Sequence, residues 1–322
     1  MPTFNYANPP VIHWGAGSVQ SLPGELERLG VKRVGLITTK SLLDAALPLQ
    51  PQMTATIAQH APIGQVEQAT EDGRKAAVDG VVSFGGGSPI DAAKIVALRL
   101  GGLPHLAVPT TLSVAELAAG AGFTDETGTK GGMRDPGLLP HAVFYDAEVT
   151  MATPMELWLS SGIRALDHAV EGFLADGGHP FNDVMAVEAI RRLFDSLPHA
   201  KSEPKNLDVR TENQLAAWFS FTLPGASASG LSHTMGKQIG ARHGIPHGVT
   251  SCLLLPHVMR YLGQHKSLPV SANDVQSLIA RLGLPQHIAD YGIGEPELSK
   301  AASELAGKFP AEDLLRIYLA AL

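Results

Sequence analysis

The chain contains one cysteine in 322 residues, Cys252 in the apolar run VTSCLLLP. A single thiol excludes an internal disulfide and any thiolate cluster, and free cysteines are most often buried and inert. No apolar run reaches the roughly 18 to 20 residues of a membrane span. The N-terminal MPTFNYANPP has neither a charged n-region nor an apolar h-region. The expected setting is cytoplasmic, with no membrane partner. Basic blocks are missing too: the formal net charge is −7, which argues against a nucleic-acid partner and for a small-molecule one. Neither GxGxxG nor HExxH occurs, so no dinucleotide fingerprint or helical metal site is recognisable from its short motif alone.

What is present is enough apolar material, 44% of residues against 17% charged, for two domains. From Pro9 to about Tyr145, short apolar runs alternate with helical stretches, as in a parallel sheet with crossover helices. SLPGELERLG and DAAKIVALRL read as helices, and VKRVGLITT, GVVSF and HLAVPTT as strands. The connection between the first two strands looks short, which implies a trimmed sheet. From PMELWLSSG onward the apolar spacing is mostly helical. Its stops are Gly177-Gly178-His179-Pro180, Pro198, Pro224-Gly225, Gly244 and Pro285. The expected organisation is an α/β domain with a parallel, Rossmann-like sheet over 1–150 and an all-α domain over 151–322. Tyr145 and Asp146 either close the sheet or open the helices.

GVVSF-GGGS-PIDAAKIV reads as strand, glycine turn and helix, with Ser88 as candidate N-cap and Pro89 at the first helical position. Gly85, Gly86 and Gly87 let backbone approach a pyrophosphate, which the free N–H groups and dipole of the next helix favour. The plainer reading is a tight strand-to-helix corner, with Asp91 and Lys94 as ordinary solvated charges. Thr110 and Thr111 lie at the carboxyl edge of the third strand, where open parallel sheets bind ligands.

In GIRALDHAVE, Arg164, His168 and Glu171 share one helical face, while Asp167 lies about 100° around the helix from His168. His233 and Lys237 are likewise i, i+4, and His247 follows a proline in IPHG. Three histidines on separate elements could hold Zn²⁺ or Fe²⁺. His13, His60, His105, His141, His199, His265 and His287 lack convergent partners, His257 reads as a helix-start residue, and His243 is open.

These residues together resemble the iron-containing (group III) alcohol dehydrogenases, in their maleylacetate reductase-like branch. The resemblance runs through GGGSPIDAAK, AVPTT with SVAE, RDPGLLPHAVFYDAEVT, GIRALDHAVE, GLSHTMGKQIG and IPHGVTSCLLLPHVMRY. It implies a dehydroquinate synthase-like architecture, a homodimer, and hydride transfer between NAD or NADP and an alcohol or carbonyl carbon in the interdomain cleft. Gly85, Gly86, Gly87 and Ser88 match the family's pyrophosphate contacts, and Thr110, Thr111 and Ser113 its nucleotide contacts. Lys130 matches a lysine near the nicotinamide ribose, and Thr38, Thr39 and Asp91 complete the cofactor set. His168, His233 and His247 match three of four ligands to a divalent metal, Fe or Zn. The fourth, an aspartate, is Arg164 here, and a second family histidine is Lys237. A guanidinium in place of an anionic ligand repels a dication and suits a substrate carboxylate or developing oxyanion. The catalytic set expected is therefore Arg164, Lys237 and His247. A dehydroquinate synthase-type lyase or cyclase using NAD transiently, and a non-catalytic relative, are the alternatives.

The aspartate that follows the first strand in NAD-preferring members is Thr39 here, followed by Lys40, so nothing repels a 2′-phosphate. NADPH should therefore be accepted. Comparison of kcat/KM for the two reduced cofactors checks this, and a hundredfold preference for NADH contradicts it.

Overall fold

A computed structural model describes residues 6, 8–177, 179–223, 230–263 and 268–322. His265 and Pro224-Gly225 lie outside the described residues. Six strands, β1 (Ile12–Trp14), β2 (Val34–Thr38), β3 (Met53–Thr56), β4 (Gly80–Gly85), β5 (His105–Pro109) and β8 (Ala142–Tyr145), form one parallel sheet in the order β1-β8-β5-β4-β2-β3. An antiparallel hairpin of β6 (Gly120–Thr124) and β7 (Lys130–Arg134) stands apart from it.

The central β4 is buried along its length, as a strand covered on both faces must be. Successive residues serve opposite layers. Val81 packs with Ile37, Val66 and Ile95 beneath α2 (Ile63–Lys75) and α3 (Gly87–Arg99). Val82 packs with Leu22, Phe84, Leu106 and Phe144 beneath α1 (Leu22–Arg28).

The connection that looked short holds β3 and α2, so the sheet is not trimmed there. The inner face of α2 consists of Val66, Ala69, Thr70 and Gly73. That is helical spacing, but Val66 is its one large apolar residue, and Ala69, Thr70 and Gly73 add little to a hydropathy reading. Tyr145 closes the sheet as the last residue of β8.

The rest is helical: α4 (Met155–Phe173), α5 (Pro180–Ser202), α6 (Leu207–Phe219), α7 (Leu231–His243), α8 (His247–Leu262), α9 (Ala272–Leu282), α10 (Glu295–Leu305) and α11 (Ala311–Ala320). One core joins Ile163, Leu166 and Val170 of α4 to Ile190, Leu193 and Leu197 of α5, and to the buried Cys252 of α8. A second joins Met235 and Ile239 of α7 to Leu254 of α8 and Tyr318 of α11. Gly244, at φ 67, ends α7 as expected. Pro198 does not stop α5, and Pro256 lies inside α8, so His257 is mid-helix rather than at a helix start. A proline removes one backbone bond from each helix, and buried Leu197 and Leu255 precede the two prolines in the core. Among the described residues no helix is long and apolar enough to cross a membrane.

The crossing that matters most for the site is α8 on α4. A Cβ at Gly248 would lie 2.7 Å from backbone atoms of Ser160, so only glycine lets the start of α8, with His247, reach α4. Gly248→Ala should therefore destabilise the protein by about 1–3 kcal/mol, read as a lower denaturation midpoint. An unchanged midpoint would show that the two helices can part freely.

Candidate active site

The glycine turn sits at the carboxyl end of β4. Gly85 has φ 145, and a Cβ there would stand 2.6 Å from the Pro89 ring. Gly86, not Ser88, is the N-cap of α3, and no side chain caps that helix. The Ser88 hydroxyl instead accepts the backbone N–H of His60 at 2.9 Å. Opposite the turn, Cβ atoms on Gly86 and Gly87 would meet Thr111 and Ser113. The Thr111 and Ser113 hydroxyls are buried and without hydrogen-bond partners among the described residues. Free helix N–H groups facing unpartnered hydroxyls across bare glycine make a cradle suited to a pyrophosphate and the groups attached to it. Thr110 is buried beside them, its backbone N–H bonded to the Gly85 carbonyl at 2.9 Å. Thr38, in contrast, is fully buried and donates to the Phe84 carbonyl at 2.8 Å, so its side chain has no opening to a ligand. Thr39 is only partly buried, with its hydroxyl 3.1 Å from that of Ser41.

Across the cleft, Lys130 at the start of β7 contacts Nε2 of His247, the first residue of α8, through its Nζ. The ring of His60 meets the His247 ring edge-on at 5.6 Å, and its own Nε2 is buried without a partner among the described residues. His60 therefore has convergent neighbours after all. Its backbone is left-handed, φ 68, as is that of Ala61, φ 48. Histidine tolerates that conformation better than most residues, but alanine does not favour it, so sequence carries little signal for the pair. Burial, then the Lys130 charge, lowers the His60 pKa to about 4. Burial, followed by Lys130, Arg164, His60 and Lys237, pushes His247 well below the usual imidazole range. Lys130 itself is brought down to about 8, first by desolvation and then by Lys237. Lys237, one of the expected catalytic set, is exposed on α7, whereas Lys130 is partly buried.

The middle of α4 is buried on all sides yet carries Arg164, Asp167, His168 and Glu171. Asp167 turns out to be the counter-ion of Arg164. Its Oδ2 accepts from Arg164 Nη1 at 3.0 Å, from Ser251 at 2.6 Å and from Ser232 at 3.0 Å. An opposite charge three positions on was the available signal, since i and i+3 are neighbours on a helix. Glu171 accepts from the backbone N–H groups of Gly230, Ser232 and His233 at 2.9, 2.6 and 3.3 Å, and so anchors the start of α7. Burial, then the Asp167 charge, holds its carboxyl well above the usual range. His168 and His233 face each other at 5.8 Å, with His168 edge-on to Phe221 at 5.0 Å.

This donor set does not suit a divalent cation. His247 turns its Nε2 to an amine, Asp167 serves a guanidinium, and Glu171 serves backbone. Among the described residues no group of three or more His, Cys, Asp or Glu is placed to hold a metal ion.

The sequence profile described as "Iron-containing alcohol dehydrogenase" matches residues 9–147, and that of "Fe-containing alcohol dehydrogenase family, C-terminal" matches 158–271. A maleylacetate reductase of Rhizobium sp. (strain MTP-10005) is 33% identical over 328 residues, covering 96% of this chain and 93% of the relative. The chain belongs to the iron-containing alcohol dehydrogenase family. The crystal structure of a maleylacetate reductase from Agrobacterium tumefaciens superposes with a TM-score of 0.89 at 28% identity, covering 100% of this chain and 99% of that one. A protein described as a putative alcohol dehydrogenase from Ralstonia eutropha JMP134 superposes with a TM-score of 0.91 at 30% identity, covering 100% and 98%. This member of the iron-containing alcohol dehydrogenases is an NAD(P)-dependent oxidoreductase, and neither the lyase nor the non-catalytic alternative is favoured.

Because its pKa is lowered, Lys130 is an acid below about pH 8 and is lost as one above it. As proton donor it should impose a falling basic limb on kcat/KM near that pH. Lys130→Met should remove the limb and about 10²–10⁴-fold of the rate. A profile flat through pH 9 in the unaltered enzyme would assign the proton elsewhere.

Proposed function

We propose that the enzyme reduces an activated double bond or carbonyl in a small carboxylated substrate, as the names of its maleylacetate reductase relatives suggest, and that it does so without a metal. The observation that carries this reading is Arg164, which stands in place of the family's ligand aspartate, with Asp167 as its own counter-ion. Two cationic groups in one cleft, Arg164 and Lys130, favour an anionic substrate over a dication.

The reduced nicotinamide supplies the hydride when bound. The chain's residues do the rest. The uncapped start of α3, the glycine turn and the Thr111 and Ser113 hydroxyls hold the dinucleotide. Among the described residues Arg164 uses Nη1 alone, toward Asp167 and Ser251 at 3.0 and 3.1 Å, so its other N–H groups can take a carboxylate or the developing oxyanion. Lys130 donates the proton that balances hydride addition, and His247, neutral and in contact with its Nζ, orients the amine. Lys237, exposed at the rim, adds charge to the approach rather than acid. The same reading divides the chain near residue 150, at the end of the sheet, and takes from the resemblance a homodimer with either NAD or NADP. The cytoplasmic setting comes from the sequence alone.

Assay with maleylacetate and either reduced cofactor, alongside elemental analysis of protein purified without chelator, tests the reading. Turnover without bound metal is expected. Arg164→Met should raise KM for the carboxylated substrate about tenfold to a hundredfold, the worth of a charged hydrogen bond. Near-stoichiometric metal, with activity lost to chelator and restored by Zn²⁺ or Fe²⁺, would defeat it.

A further inference from the structure

Lys94 has no role in the chemistry above, yet its side chain is fully buried in the middle of α3. It is not the solvated charge that its sequence context suggested. Nζ donates to three backbone carbonyls, those of Ala115 at 2.5 Å, Ala118 at 2.7 Å and Gly120 at 2.8 Å. Three donors on three acceptors use the whole hydrogen-bonding capacity of an ammonium. One turn earlier, Asp91 accepts the backbone N–H of Gly122 at 3.0 Å. The helix that opens at the glycine turn therefore grips the chain from 115 to 122 with one cation and one anion.

That segment needs holding. Val114 is buried and left-handed, φ 55, a conformation that a β-branched residue does not adopt unless its surroundings force it. Directly before it come Thr111 and Ser113, whose hydroxyls are buried without partners among the described residues. Directly after it, Glu116 is tied by Tyr145, whose hydroxyl donates at 2.8 Å. Beyond lies the hairpin that carries Lys130.

We propose that Lys94 is a positioning residue for cofactor binding: its buried ammonium holds residues 113–120 in the strained turn that sets the Thr111 and Ser113 hydroxyls beside the glycine turn. The inference rests on the reading of those two hydroxyls as cofactor contacts. It adds that their placement, and that of the Lys130 hairpin, is built before the cofactor arrives and is enforced from the phosphate-binding helix itself. Lys94 touches no ligand and acts only through the segment it grips.

The test is the dissociation constant for NADPH, read by fluorescence titration of folded protein. Lys94→Met keeps the volume and removes the three donors, and should weaken binding at least tenfold. In that background Val114→Gly should recover part of the loss, because glycine holds the left-handed turn without a strut. A folded Lys94→Met variant that binds and turns over within twofold of the unaltered enzyme overturns the proposal, as does a double variant with no recovery. Thr111→Ala with Ser113→Ala separates the two layers. Retained affinity there defeats the reading of the hydroxyls, whereas lost affinity there with none lost in Lys94→Met defeats the strut alone. If Lys94→Met does not fold, hydrogen exchange on the unaltered apoprotein decides. Amides at 115–120 should exchange as slowly as those of α3, and rapid exchange that slows only on adding cofactor overturns the proposal.

Discussion

A helix buried on every side cannot carry four ionisable groups unless each of them finds a partner, because an unpaired charge in a low-dielectric interior is not tolerated. That constraint on α4 organises the helical half of the molecule. Glu171 reaches the first backbone N–H groups of α7, and Asp167 draws in Arg164, Ser232 and Ser251, so α4, α7 and α8 are joined by polar contacts as well as by packing. With Gly248 admitting the start of α8 against Ser160, these contacts fix where Arg164 and His247 stand.

The same physics works in the α/β half. Lys94 and Asp91 leave α3 in the direction of the 115–122 segment, and Glu116 answers from that segment toward Tyr145 at the end of the sheet. The hairpin bearing Lys130 is thereby referred to α3 rather than to solvent. His60, locked by Ser88 on one side and by the Thr124 hydroxyl on the other, closes the far wall of the cleft against His247. The result is a cluster in which burial lowers the pKa of His60 and His247 and two cations, Arg164 and Lys130, stand near each other.

Much of this was legible beforehand. The glycine turn announced itself by the strand before it and the helix after it. The substitution of Arg164 for an aspartate was visible as a single letter against a family pattern. The partner of Arg164 is three residues on, the spacing of neighbours on a helix, so the pair is written in the sequence even though Asp167 stands next to His168. Helix α2 is faint in the sequence for a different reason: on its buried face only Val66 is strongly apolar, while Ala69, Thr70 and Gly73 pack well but carry little hydropathy.

By itself, then, the sequence determined the parallel-sheet half and the helical half, the glycine turn before α3 and the identity of the charges, because those depend on local spacing and residue type. Only the tertiary structure decided which charges meet. Lys130 lies 117 positions from His247 along the chain, His60 stands against that same ring by virtue of two left-handed residues, and Lys94 faces carbonyls rather than water because the chain folds back over α3. Burial is a property of the assembled molecule, and it is burial first of all that lowers the pKa of Lys130.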